Sequence, residues 1–473
     1  NQPPKDENAI EFHNRRNAGI RSTLLDSAWD GAEGLGRDWV TAEVYMDIFS
    51  LIMGKFTEFH IALESSYPYP MSAPQKTDVL IVGAGVIGLS IGKALLESKP
   101  NLRVVIAEKE SGLGRHASGR NSGVLHSGFY YSPDSMKAKF CRDGNMELRK
   151  LAKKYDIPIR EVGKVVVAKN ELENRQLDVL YERGVANGVD IELFDSSKLM
   201  NFEPLAVTHQ RFLWSPNTAV SDPVSILDAL RTEFELRGGK IFYGKKVLLT
   251  ENANQVVDSA KNFDAKLFIN AAGAQSDRLA RQIGIGTEYA MVPFMGVYRS
   301  TTEINLPLRR LVYPVPHPIN PFLGVHFTLT IDQKVKIGPT AIPIAGREQY
   351  SIRQGWSASD IYQAVKGVSA LVRGNAHDFS KILRSEIPKF LETNLVRESA
   401  ELVPTVRQVS AWEKRPPGIR AQLVHLPTGK LEQDFVLSSH SNSIHILNSV
   451  SPGWTSALSF SSYIVEKYLD LFH

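Results

Sequence analysis

The chain has 473 residues, 43% of them hydrophobic and 22% charged, with 55 Lys+Arg against 51 Asp+Glu and one cysteine, Cys141. That length is enough for two to three domains around a large core. The lone cysteine excludes a disulfide framework and any cysteine-rich metal centre, and no run of eighteen apolar residues exists that would cross a membrane as a helix.

Charge is unevenly divided. Residues 1–70 carry 6 Lys+Arg against 11 Asp+Glu, which leaves 49 against 40 for the remainder. An acidic leader is the opposite of an Arg-rich mitochondrial transit peptide, and it lacks the basic start and apolar core of a signal peptide. The expected location is therefore the cytoplasm rather than the mitochondrion. A basic body allows a peripheral approach to the inner membrane, or an anionic substrate; nothing points to nucleic acid.

Residues 1–75 read as an N-terminal extension without an assignable role. Positions 1–11 are polar and predicted disordered, 40–63 place apolar residues at helical spacing, and the Pro-rich run 65–70 reads as a linker.

Residues 78–108 (DVLIVGAGVIGLSIGKALLESKPNLRVVIAE) carry a strand, a helix and a second strand. Gly83, Gly85 and Gly88 stand at the G-x-G-x-x-G spacing: the first permits the tight turn, the second lets backbone approach a pyrophosphate, and the third lets helix pack on strand. A diphosphate is expected at the helix N-terminus, where free N–H groups and the dipole favour an anion. Glu108 lies 20 residues beyond Gly88, placed to accept both hydroxyls of an adenosine ribose and unsuited to a 2'-phosphate. Together these elements predict a bound dinucleotide and an enzyme.

The next segment, 112–131 (GLGRHASGRNSGVLHSGFYY), contains two His and two Arg but no Lys and no acid. A nicotinamide dehydrogenase is expected to place an ordinary crossover helix here. A Gly/Ser/Asn loop of this kind instead suits close passage along a flavin and its diphosphate, so FAD is the expected cofactor.

Further strands are predicted at 163–168, 240–248, 265–270 and 443–447, helices at 223–237 and 360–372, and a mostly antiparallel sheet over 293–343. Small-residue turns at 271–273 and 448–456 close two strands and permit backbone to approach an extended ligand. The expected architecture is α/β: a Rossmann-like domain (76–160, 226–290, 411–473) interleaved with a mostly antiparallel substrate domain (161–225, 291–410).

Several stretches resemble the L-2-hydroxyglutarate dehydrogenase/oxidase family of the D-amino-acid-oxidase-like FAD superfamily: 118–141 (SGRNSGVLHSGFYYSPDSMKAKFC), 162–168 (VGKVVVA), 313–339 (YPVPHPINPFLGVHFTLTIDQKVKIGP), 417–422 (PGIRAQ) and 446–458 (ILNSVSPGWTSAL). The family commonly has His at Arg120, Gly at Gln333, Asn at Thr340 and a small residue at Trp454. The resemblance implies oxidation of L-2-hydroxyglutarate to 2-oxoglutarate by hydride transfer from C2 to flavin N5, with oxygen, a quinone or a carrier protein as electron acceptor. An amino-acid oxidase or a glycerol-3-phosphate dehydrogenase is possible on the same fold, and a non-catalytic assembly factor is the reading from another class.

Such chemistry needs a base for the hydroxyl proton and a clamp for the carboxylate. An imidazole titrates near neutrality, and the resemblance implies His326 as base, with His126 as partner or second choice. The resemblance implies that Arg420 clamps the carboxylate, for which its bidentate fork is suited, and Arg120, Tyr298 or Tyr313 is expected to meet a second carboxylate. The resemblance assigns Ser118, Asn121, Ser122, Gly123, Gly273, Pro452, Gly453 and Thr455 to FAD, and Val166 to the adenine through backbone. No metal is expected.

Overall fold

A computed structural model describes residues 73–471 apart from 253–254, 317–321, 352–353, 375–378 and 450. The helical pattern at 40–63 and the run at 65–70 lie outside the described residues. No helix among those described is long and apolar enough to cross a membrane.

The strand Gln75–Val82 lies inside a six-stranded sheet, between Val104–Ala107 and Phe263–Asn270. Ser443–Asn448 continues the sheet on one side and Lys240–Phe242 on the other, all parallel, and Val436–His440 closes one edge antiparallel. Alternate residues of a strand leave opposite faces, and both faces here are covered. Val79, Ile81, Ile106, Ile269 and Ile444 share a core with the helices Val86–Ser98, Met136–Lys154, Pro223–Leu236 and Ala457–Lys467. Leu80, Val82, Val105 and Phe268 face Val247, Val256 and Leu279 on the other side. Double burial is why these strands read as continuous apolar runs rather than alternating ones.

Local signals set the element ends. Asp222 accepts the Ser225 N–H at 2.7 Å and Pro223 occupies the first turn, so the helix Pro223–Leu236 starts at a side-chain cap followed by proline. The strand expected over 240–248 pairs only at Lys240–Phe242, because Gly244 (φ +68°) turns the chain away.

An eight-stranded sheet runs in the order Glu413–Lys414, Arg299–Thr302, Lys334–Gly338, His326–Leu329, Leu311–Pro314, Lys164–Val167, Arg211–Ser215, Glu192–Asp195. Its neighbours are antiparallel except Leu311–Pro314 against Lys164–Val167. A four-stranded antiparallel sheet pairs Tyr289–Gly296 with Gly418–His425, setting Arg420 opposite Phe294. The chain passes between these two sheets at 297–298, beside Gly338 (φ +129°), whose missing side chain admits the Val297 carbonyl; an added Cβ would lie 2.5 Å from that oxygen. The Rossmann-like sheet thus draws strands from 75–107, 240–270 and 436–448, interleaved with the mostly antiparallel sheets.

Gly88 shows how tightly the first helix seats. A Cβ there would lie 2.0 Å from the Gly83 carbonyl oxygen, and backbone cannot rotate aside as a side chain can. Gly88→Ala is expected to cost about 1–3 kcal/mol through overpacking and to weaken FAD retention. Urea midpoints of the FAD-loaded protein and its variant test this; equal midpoints would show that the helix shifts freely.

Candidate active site

A cavity of about 630 Å³ opens at the carboxyl ends of the parallel strands, where ligands of open α/β sheets bind. Gly83 and Gly85, the small-residue turn Ala272-Gly273, Ser118, Ser122 and the turn Pro452-Gly453-Trp454-Thr455 all line it. Gly83 (φ +105°) lies so close to the neighbouring turn that a Cβ would sit 2.6 Å from the Ala271 carbonyl oxygen. Gly273 (φ +56°) presents bare backbone with open space before it.

Glu108 is pinned at the end of the second strand. Its Oε2 accepts the Ala84 N–H at 2.8 Å and its Oε1 the Glu110 N–H at 2.9 Å. Each carboxylate oxygen has a further lone pair, so the fixed group retains acceptor capacity for ribose hydroxyls. Ser118 Oγ accepts the Val86 N–H at 3.0 Å in the first turn of the helix Val86–Ser98. Its own proton remains to be given to an anion at that helix end. These donors, the bare glycine backbone and the fixed acid fit a dinucleotide.

Other expected cofactor residues have different duties. Gly88 and Gly123 lie outside the cavity lining; Gly123 (φ +74°) lets the Ser221 carbonyl pass at a distance that a Cβ would reduce to 2.3 Å. Asn121 lines the cavity, yet its amide nitrogen donates to the Ala117 and Ser118 carbonyls and its oxygen accepts the Gly123 N–H, so it closes its own loop. Val166 is a correction: it is fully buried in the middle of the eight-stranded sheet between Tyr313 and Leu213, and does not line the cavity. Thr455 donates to the Val124 carbonyl and accepts the His126 N–H, both at 3.2 Å, which ties the final turn to the loop carrying His126.

His126, Tyr298 and Arg420 line the same cavity. Arg420 is half-buried, and no carboxylate among the described residues pairs with it. His326 and Tyr313 are buried just beyond the lining, their rings stacked with centroids 3.9 Å apart. The Gly324 carbonyl lies 2.8 Å from Nδ1 of His326; Nδ1 as the donor leaves the lone pair on Nε2. Burial, then the charges of Arg420 and Lys164, hold His326 down to about 3, against a gain from the Gly324 contact. Burial first, then Lys164, His326 and Arg420, keep His126 well below the usual imidazole range. Both rings are therefore neutral at pH 7. Burial raises the Tyr298 and Tyr313 hydroxyls, keeping them as donors. Arg120 is held in the wall, its Nε donating to the Arg115 carbonyl at 2.8 Å and its guanidinium 4.1 Å from the Tyr350 ring centroid.

The sequence reading missed two groups. Tyr350 and Glu348 hold a wall segment against the ribose end: the Tyr350 hydroxyl lies 3.0 Å from His116 Nδ1, and Lys109 Nζ lies 3.0 Å from both His116 Nε2 and Glu348. Glu110, His116 and Glu348 have metal-ligand spacing, but the Lys109 ammonium already supplies the cation among them. Arg347, buried between Asp277 and Asp360, anchors that segment. The second miss is Lys164, fully buried in the strand Lys164–Val167 and signalled only by a lysine standing in an apolar run. Cys141 is buried, its thiol pushed up to about 12, which leaves it unreactive.

The profile of the FAD dependent oxidoreductase family (DAO) matches residues 78–466. L-2-hydroxyglutarate dehydrogenase of Escherichia coli strain K12 is 33% identical over 401 residues, covering 83% of this chain and 93% of that protein. The mitochondrial L-2-hydroxyglutarate dehydrogenase of Caenorhabditis elegans is 34% identical over 414 residues, covering 84% and 94%. Among solved structures, the FAD-bound L-alpha-glycerophosphate oxidase of Mycoplasma pneumoniae superposes with a TM-score of 0.65 at 23% identity, over 84% of this chain and 95% of that one, a likeness of fold. The chain belongs to the FAD-dependent oxidoreductases of the DAO family and, within them, to the L-2-hydroxyglutarate dehydrogenases.

Proposed function

We propose that this protein oxidises L-2-hydroxyglutarate to 2-oxoglutarate. Bound FAD supplies the two-electron acceptor for the hydride leaving C2. Arg420 binds the C1 carboxylate through two parallel charge-assisted hydrogen bonds and so fixes the orientation of C2. Nε2 of His326 takes the hydroxyl proton, its tautomer set by the Gly324 carbonyl. Tyr298, with its hydroxyl protonated, donates to the oxygen at C2. His126 and the stack of Tyr313 on His326 exclude water from that side. The observation that carries this reading is the guanidinium of Arg420, unpaired among the described residues, in a cavity lined by one neutral imidazole, His126, with a second, His326, buried just behind the lining.

The substrate is a small hydroxy acid. Electrons then leave for oxygen, a quinone or a carrier protein, and the basic surplus beyond residue 70 supports a peripheral approach to an anionic membrane from the cytoplasm. One anaerobic titration tests the activity. L-2-hydroxyglutarate is expected to bleach the visible band of the purified yellow protein, and admission of air or a quinone to restore it. Bleaching by an amino acid or by glycerol 3-phosphate alone would overturn the substrate. Salt-sensitive sedimentation with anionic vesicles reads the membrane approach, which is withdrawn if the protein stays in solution at low salt.

A further inference from the structure

Lys164 is 0% exposed, its Nζ has no hydrogen-bond partner, and no carboxylate pairs with it among the described residues. The amine is packed against three aromatic rings, 4.5 Å from the centroid of Tyr130, 4.7 Å from Tyr313 and 4.8 Å from Phe129. Ring faces offset only part of the hydration a buried ammonium loses. The Tyr130 hydroxyl beside it is also buried without a partner, as is Nδ1 of His126. Buried polar groups are nearly always satisfied, so the lysine amine and the tyrosine hydroxyl of one aromatic box call for a ligand that supplies acceptors.

The position of the box suggests which ligand. The Tyr313 ring that carries the lysine amine also carries His326, 3.9 Å away. Both imidazoles feel the positive charges of Lys164 and of Arg420. The proton-accepting centre is therefore flanked by two cations, one in the cavity wall and one beyond it. A 2-hydroxy diacid has the matching pattern, an oxidisable carbon beside one carboxylate with a second carboxylate further along the chain. The four-carbon stem of lysine lets its head turn toward the cavity that His126 lines.

We propose that Lys164, together with the Tyr130 hydroxyl, binds the far carboxylate of the substrate and is the residue that selects diacids over monoacids. The inference rests on the proposed oxidation of a 2-hydroxy acid and adds the residue that reads the second charge. Burial alone brings the empty-site amine down to about 7, so above that pH a dianion must bind together with a proton. Diacid affinity should then weaken as pH rises through that value while monoacid affinity stays flat.

The test compares L-2-hydroxyglutarate with L-2-hydroxybutanoate on FAD-loaded protein, wild type and Lys164→Met. The variant should lose on the order of 30- to 100-fold more in kcat/KM for the diacid than for the monoacid, with the flavin spectrum unchanged. Equal losses on both substrates, or no loss on either, would overturn the assignment. If Lys164→Met does not hold FAD, two other measurements decide: Tyr130→Phe should weaken the diacid alone, and wild-type binding of glutarate but not butanoate, read from the flavin band between about pH 6 and 9, should weaken with rising pH. Parallel pH dependence of the two ligands would sink the proposal. A wild type that binds glutarate in this way yet turns over neither hydroxy acid would refute the proposed reaction and leave the diacid site standing.

Discussion

Arg420→Ala is expected to lower kcat/KM for L-2-hydroxyglutarate by about 2–4 kcal/mol, on the order of 30- to 1000-fold, because it leaves a desolvated carboxylate without its bidentate partner. The side chain stands on the strand Gly418–His425, opposite Phe294 in the antiparallel ladder, so its backbone is held by strand pairing independently of the guanidinium. Folding and FAD content should therefore survive. Arg420→Lys should recover only part of the loss, since a single ammonium cannot reproduce two parallel hydrogen bonds. The removed charge also acts on both imidazoles, so both should become easier to protonate in the variant, and its activity should fall off at a higher pH on the acid side than the wild type does. Steady-state kinetics over a pH series measures both effects. A variant with unchanged KM and kcat would remove Arg420 from the site.

The dinucleotide half of the cavity was legible in sequence because its chemistry is local. Gly83, Gly85 and Glu108 act through backbone geometry and a fixed spacing along one βαβ unit, and each lies where that spacing predicts. The opposite end is assembled from distant parts of the chain. Lys164, Tyr313 and His326 meet because the strand Lys164–Val167 pairs with Leu311–Pro314, which pairs with His326–Leu329, while Arg420 comes from a second sheet and His126 follows a strand of a third. Pairing partners of that kind have no signature in a single sequence, so residue type along 162–168 does not show that Val166 is enclosed in the sheet or that Lys164 meets three rings. Asn121 shows a related limit: a polar residue in a glycine-rich loop can be occupied entirely by the backbone of that loop. The wall segment bearing Tyr350 depends on the buried Arg347 between Asp277 and Asp360, and its pairing with Asp277 across 70 positions is one that residue type alone does not announce.

His326→Asn is expected to lower kcat on the order of 10²- to 10⁴-fold, the usual contribution of a positioned base, while the Kd for 2-oxoglutarate changes little. Asparagine retains an amide donor for the Gly324 carbonyl but has no basic nitrogen to take a proton. The pH profile gives an independent signature. With burial holding the free-protein imidazole down to about 3, the reactive neutral form persists on acidification, so kcat/KM, which reports free enzyme, should show no acid limb between about pH 7 and 5. A bound diacid neutralises Arg420 and Lys164, the charges that oppose protonation of this ring, so kcat, which reports the complex, should develop its acid limb at the higher pH. The same depression affects stability in the opposite sense to a salt-bridged histidine. Below the unfolded-state value near 6.5 the unfolded chain takes up a proton that the native ring refuses, so this contribution is intact above that pH and is lost as pH falls toward about 3. An active His326→Asn variant beside an inactive His126→Asn variant would move the base to His126, which lines the cavity directly.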